Sequence, residues 1–109
     1  MIKDIDAELG IDLVDHDWVM EVGEVLAFGM TKYPNAGWDM IPASDHIYAA
    51  ISHAVKHLRG ERIDSESGLS HLGHASARTM FAYVVARKRG YISCRQGKGK
   101  KVLTLEQLK

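Results

Sequence analysis

The chain has 109 residues, one Cys and 14 side chains of each charge sign, so its net charge is zero; that length fits a single domain over 1–109. Zero charge argues against bulk nucleic-acid binding, which needs a large cationic field, and the lone Cys94 excludes a disulfide framework or a thiolate metal cluster. No apolar run approaches the roughly 18 residues of a membrane span and no signal-peptide pattern opens the chain, so a cytoplasmic setting without a membrane partner is expected.

In chain order, residues 1–14 are mixed and read as a short helix or an arm that packs on a partner. A helix is predicted over roughly 17–31, capped by Asp15 or Asp17, with Trp18, Val22, Val25 and Leu26 on the 3.6-residue period. Pro34, Asn35, Gly37 and Pro42 make 32–43 a loop. Ser44 is a suitable N-cap for a second helix over roughly 45–60, with Ile47, Ala50, Ile51, Ala54, Val55 and Leu58 as its apolar stripe and Gly60 as its stop. A polar turn follows over 61–67. Ser67 then caps a predicted third helix over about 68–89, with Leu69, Leu72, Ala75, Met80, Phe81, Val84 and Val85 facing inward. Arg87, Lys88 and Arg89 suit the negative end of that helix, and Gly90 follows it. The basic, Gly-rich tail from about 91 reads as a loop, a hairpin turn or a linker; its flanking residues alternate well enough for two short strands.

The loop FGMTKYPNAGW, Phe28 to Trp38, places two aromatics and a cation where a core cannot easily take them. Glu21 and Glu24, three apart, share a helix face, which by itself describes a solvated acidic surface. His53 and His57, four apart, also share a face, but the Glu of the H-E-x-x-H protease pattern is missing. His71 and His74 open the third helix, with Arg78 on the same stripe. Imidazole suits Zn, Mn, Fe or Ni, whereas Mg²⁺ prefers oxygen. Taken alone an H-x-x-H pair is more often structural. GERIDSESGLSHLGH, however, gathers Glu61, Asp64, Glu66, His71 and His74 beside a helix N-terminus, whose free N–H groups suit phosphate. Their convergence points to a functional site.

EVLAFGMTKYPNAGW, a His in the next helix, and then GERIDSESGLSHLGHA together resemble the dATP/dGTP diphosphohydrolase family found in many phages. More distantly, the chain is similar to the all-α nucleoside triphosphate pyrophosphohydrolases of MazG type. The resemblance covers roughly residues 20–86. It implies an all-α fold, a small bundle of three main helices, in which helical acidic residues hold divalent metal, Mn or Mg or another transition metal. It also implies hydrolysis of a purine nucleoside triphosphate to monophosphate and pyrophosphate. Glu21 and Glu24 lie where the MazG type has Glu-x-x-Glu. The second motif is matched either by Glu61 and Asp64 or by the position of His71 and His74, and His53 matches the family's His ahead of the Gly-Glu turn. Two positions depart from the family, which usually has Asn at both: Gly37 before Trp38, and Arg78 after the His pair. Arg78 brings a permanent cation whose planar fork suits phosphate.

These readings make Glu21, Glu24 and Glu61 the candidate catalytic carboxylates and His53, Asp64, His71 and His74 the candidate metal ligands. Tyr33 and Trp38 would stack on the base, while Lys32 and Arg78 would meet the nucleotide's charge. The competing account of Trp38 is a residue that closes the end of the bundle. A non-catalytic nucleotide-binding protein, holding its ligand and releasing it unchanged, is the second functional reading. A helical regulatory module using its basic tail is the third. Three helices leave a shallow core, so a homo-oligomer is expected.

Overall fold

The structure is a computed structural model that describes residues 10–32, 35 and 37–92. Three helices carry it: α1 over His16–Lys32, α2 over Ala43–Leu58 and α3 over His71–Lys88. Short 3₁₀ turns at Ile11–Leu13 and Trp38–Met40 precede α1 and α2. No strand occurs among the described residues, only an isolated antiparallel bridge between Ile63 and Ser70. The all-α architecture expected above is therefore observed. Tyr33 and the tail from residue 93 onward lie outside the described residues, and Tyr91 and Ile92, where the first short strand was expected, form a bend.

Local chemistry sets the helix ends. The Asp15 carboxylate accepts from the Trp18 N–H at 2.9 Å and caps α1. α2 starts two residues earlier than expected, because the Pro42 carbonyl accepts from the N–H groups of Asp45 and His46. Ser44 thus lies inside α2 and is not its cap. α3 starts later than expected: Ser70, not Ser67, is its N-cap, and the Ser70 hydroxyl accepts from the Gly73 N–H at 2.9 Å. Ser67 is held by Asp64 instead. α2 and α3 end alike. Gly60 and Gly90 adopt φ of 99° and 82°, and the next N–H, of Glu61 or Tyr91, reaches back to the carbonyl of Lys56 or Ala86 at 2.9 Å. That is the Schellman closure, in which glycine takes the left-handed position without a Cβ penalty.

α3 is the central element. It packs along α2, against α1 and against the Trp38 turn. The Trp18 indole N–H ties α1 to Ser76 of α3 at 2.8 Å. The buried apolar side chains are small: Val25, Ala50, Ala77, Ala82 and Val85. Small residues let helices approach closely, and the inner line of α2 runs through His46 and Ala50. The stripe expected for α2 is therefore displaced. Ile47, Ile51, Val55 and Leu58 face outward, Ile51 being 52% and Leu58 81% exposed. Leu72 and Met80 of α3 are likewise exposed. No described helix is long and apolar enough to cross a membrane.

Candidate functional site

The turn between α2 and α3 folds on itself. Asp64 N–H donates to the Leu69 carbonyl and Gly68 N–H to the Asp64 carbonyl, both at 2.8 Å, while His71 N–H donates to Arg62 at 2.9 Å. The Asp64 carboxylate accepts from both the N–H and the hydroxyl of Ser67, each at 2.9 Å. This closure brings the acidic turn against the first two turns of α3. Asp64, Glu66, His53 and His74 then line one cavity of about 960 Å³, which also runs past Phe28, Lys32, Trp38, His46, Arg78 and Phe81.

Two hydrogen-bond chains organise the imidazoles. In the first, the Glu61 carboxylate lies 2.9 Å from His71 Nε2, and His71 Nδ1 lies 2.8 Å from His53 Nδ1. Glu61 accepts, so His71 Nε2 carries the proton. With a single proton on the His71 ring, its Nδ1 accepts and His53 donates through its own Nδ1. His53, on the cavity wall, is left with its lone pair on Nε2. In the second chain Ser67 gives its single hydroxyl proton to Asp64, so His74 Nε2–H donates to Ser67 Oγ at 2.7 Å. The His53 and His74 rings stack at 4.8 Å and 15°, and Phe28 meets His74 edge-on at 6.4 Å.

Burial above all, with the neighbouring His74, His71 and Lys56, holds the His53 pKa down to about 4. Burial also lowers His74, against the opposing pull of Asp64. Burial raises Asp64, but its hydrogen bonds from Ser67 and the nearby His74 and His71 outweigh this and leave it below the usual carboxylate range. Both imidazoles are therefore held towards the neutral form that binds metal, beside an ionised carboxylate.

The expected site residues separate into groups. His53, Asp64 and His74 converge on the cavity, and Trp38, Lys32 and Arg78 line it too. His71 is fully buried behind His53, with both nitrogens engaged. Glu61 stands behind His71. Glu21 turns to α3, where its carboxylate accepts from the Ser70 N–H at 2.8 Å; that bond first, then the Ser70 hydroxyl, lowers its pKa. Glu24, one turn along, is exposed. Lys32 pairs with Glu66. Trp38 stacks on Phe81 at 4.3 Å and 15°.

Four residues here carry roles that the sequence reading did not assign. Glu66 lines the cavity. Ser67 links Asp64 to His74. His46 is fully buried on the cavity wall, and its signal was its place two turns before His53 on one helix. Gly73 is buried between the two His of α3, and its signal was a glycine inside a helical pattern.

A curated relative, the dATP/dGTP diphosphohydrolase of Salmonella phage PMBT28, is 30% identical over 79 residues, covering 72% of this chain and 27% of the relative. The chain thus spans about a quarter of that protein's length. No solved structure matches. The family model described as dATP/dGTP diphosphohydrolase, N-terminal, matches residues 3–93. That match takes in all three helices and every residue of the cavity, and by it the chain belongs to the dATP/dGTP diphosphohydrolase N-terminal family.

Proposed function

We propose that this chain is a divalent-metal-dependent hydrolase of purine (deoxy)nucleoside triphosphates, releasing a monophosphate and pyrophosphate. One observation carries the reading: a single cavity has two unlike ends. Trp38 and Phe81 stack at 4.3 Å at one, and Asp64, Glu66, His53 and His74 gather at the other. A flat aromatic pair suits a nucleobase, and stacking on an aromatic side chain is worth ~1–3 kcal/mol per base. The relative's name gives dATP and dGTP and a diphosphohydrolase reaction for that protein.

A triphosphate laid against Asp64 and Glu66 meets like charge. That repulsion needs a cation between them, the more so out of bulk water. The donor set fits such an ion in its chemistry, since carboxylates and neutral imidazoles together suit Mn²⁺ or a similar transition metal. His53, with its pKa near 4, keeps its lone pair at neutral pH, as a ligand must. Among the described residues no three His, Cys, Asp or Glu side chains already stand as a ligand group. His53, Asp64, Glu66 and His74 would turn to a common point to hold the ion. His71 and Glu61 would fix the His53 ring and its tautomer from behind. Bound there, the ion would polarise phosphoryl oxygens and acidify a bound water. Trp38 and Phe81 orient the base, and Lys32 exchanges Glu66 for a phosphate oxygen. In the reaction a water oxygen bonds to the α-phosphorus and gives up a proton to solvent, the α–β anhydride bond breaks, and pyrophosphate leaves with that bond's electron pair.

Asp64 and His74 are already joined through Ser67, and this favours a second reading, in which the cavity binds a nucleotide and releases it intact. One experiment separates the two. The protein is incubated with the common ribo- and deoxyribonucleoside triphosphates, with Mn²⁺, Mg²⁺ or a chelator, and products are resolved by chromatography beside calorimetric binding. Purine monophosphate and pyrophosphate formed only with metal are expected. Saturable binding with the triphosphate recovered whole would establish the second reading, and no binding would overturn both.

A further inference from the structure

The aromatic end of the cavity holds a buried polar group that the proposed reaction does not use. His46 is fully buried on α2, on the same inner line as Ala50. The Trp38 carbonyl can only accept, so His46 Nε2 carries a proton and donates to it at 2.8 Å. The Arg78 Nε–H can only donate, so His46 Nδ1 keeps its lone pair and accepts at 3.0 Å. A single ring proton, on Nε2, meets both demands. The imidazole also joins the ring cluster, 5.3 Å from Phe81 at 58° and 6.5 Å from Trp38 at 68°.

We infer that His46 is the positioning residue of the base platform: its bond to the Trp38 carbonyl fixes where the indole stands on Phe81, and so sets the affinity for the base, adenine and guanine alike. The inference rests on the nucleotide reading above and names a residue that acts through Trp38. Energy is the first argument. The two hydrogen bonds of a buried imidazole largely offset its desolvation, so they add little stability over an apolar side chain of similar shape. What a fully satisfied buried polar group does supply is one defined geometry. The weakness of the Trp38 turn is the second argument. It is a three-residue 3₁₀ turn, Trp38–Met40, without a side-chain cap, and the Ile41 N–H closes it on the Trp38 carbonyl at 3.2 Å. So short a turn, with the poorer hydrogen-bond geometry of a 3₁₀ helix, does not hold a large side chain in place by itself. The same carbonyl takes the His46 proton, and that bond ties the turn to α2. The stack is the third argument. Trp38 and Phe81 lie 4.3 Å apart at 15°. Two stacked rings can slide and turn in their common plane, whereas a directional bond to the backbone of Trp38 limits both.

The test is calorimetric binding, in Mn²⁺, of adenine and guanine nucleoside triphosphate analogues with a non-hydrolysable α–β linkage, beside inorganic tripolyphosphate, which has no base. His46→Gln carries an amide N–H out to the Nε2 position. His46→Asn ends at the Nδ1 position and falls short of the Trp38 carbonyl. His46→Asn is expected to weaken both nucleotides roughly tenfold, the scale of one base–aromatic stack, and to leave tripolyphosphate binding unchanged. His46→Gln should recover most of that loss. Trp38→Ala keeps the carbonyl and removes the indole, so in that background His46→Asn should cost little more. Equal weakening of nucleotides and tripolyphosphate in His46→Asn would assign His46 to the fold at large and overturn the inference. So would a His46→Gln protein no better than His46→Asn, or an undiminished loss in the Trp38→Ala background. Each of these leaves the nucleotide reading standing. No binding of either nucleotide analogue by the parent protein would overturn both.

Discussion

Gly73 shows how much one missing Cβ decides. A Cβ there would stand 2.7 Å from Glu21 Cγ and 3.0 Å from Ser70 Oγ. Two effects compete when Gly73 becomes Ala. Helix propensity favours Ala over Gly by ~1 kcal/mol, and forced overlap in a packed site costs ~1–3 kcal/mol. Glu21 cannot swing aside without releasing the Ser70 N–H that it holds at 2.8 Å, so overlap should win. Gly73→Ala is expected to lose about 1–2 kcal/mol, read by urea denaturation. In a Glu21→Ala background the obstructing Cγ is gone and only the 3.0 Å contact with Ser70 Oγ remains, so the same change should cost clearly less. An equal loss in both backgrounds would mean that this contact is not the cause. The sequence marked Glu21 by its spacing to Glu24 on one face. Periodicity assigns a face of a residue's own helix and says nothing of which helix it meets, so the different fates of the two carboxylates were not legible.

At the scale of elements, the start of α3 separates two serines that look alike in sequence. Ser70 caps the helix through the Gly73 N–H, whereas Ser67 bridges Asp64 and His74. Ser70→Ala should therefore cost about 1 kcal/mol of global stability, the usual cost of losing an N-cap side chain. Ser67→Ala should act on the site instead. It removes one bond that lowers the Asp64 pKa, which should move up, and it frees His74 from its hydroxyl partner. Nucleotide or Mn²⁺ binding by Ser67→Ala should fall more than its melting temperature, with the reverse ranking for Ser70→Ala. Should Ser67→Ala be the more destabilised variant with binding intact, the assignment of the two roles is wrong. Helix identity was legible here and the cap was not. Ser67 and Ser70 have equal capping propensity, and the choice fell to the tight 62–71 turn, which occupies Ser67 with Asp64.

For the whole molecule, the outward face of α2 is the feature that demands an account. Ile47, Ile51, Val55 and Leu58 are exposed, while the described buried apolar set is two Val and three Ala. Burying a large aliphatic side chain is worth ~1.5–3 kcal/mol, so this row leaves unused a stabilisation comparable to a domain's net stability. We propose that a second copy of the chain covers it, as the shallow core suggested from sequence. The self-complementary pattern supports this: one apolar line along a straight helix can pack on its own two-fold mate. Sedimentation should give a dimer or larger assembly at micromolar concentration, and Ile51→Lys should dissociate it while leaving the α2–α3 pair helical by circular dichroism. A wild-type monomer at every concentration, or an Ile51→Lys protein that sediments as the parent does, would dismiss the second copy.

Three helices, their approximate spans and the glycine stops at Gly60 and Gly90 were determined by the sequence alone, because hydrophobic period, caps and left-handed glycines act within a few residues. The motif residues that gather at the cavity, His53, Asp64, His74, Trp38 and Arg78, were legible as types of chemistry at suggestive spacing. Which residues do the lining was settled only in three dimensions. α2 turns His46 and Ala50 inward and leaves its larger side chains outside, since small residues on α3 allow a close approach that a broad aliphatic stripe would prevent. That rotation buried His71 behind His53 and put His46 between Arg78 and Trp38. Local rules fix where a helix begins and ends; its rotation about its own axis depends on every neighbour at once.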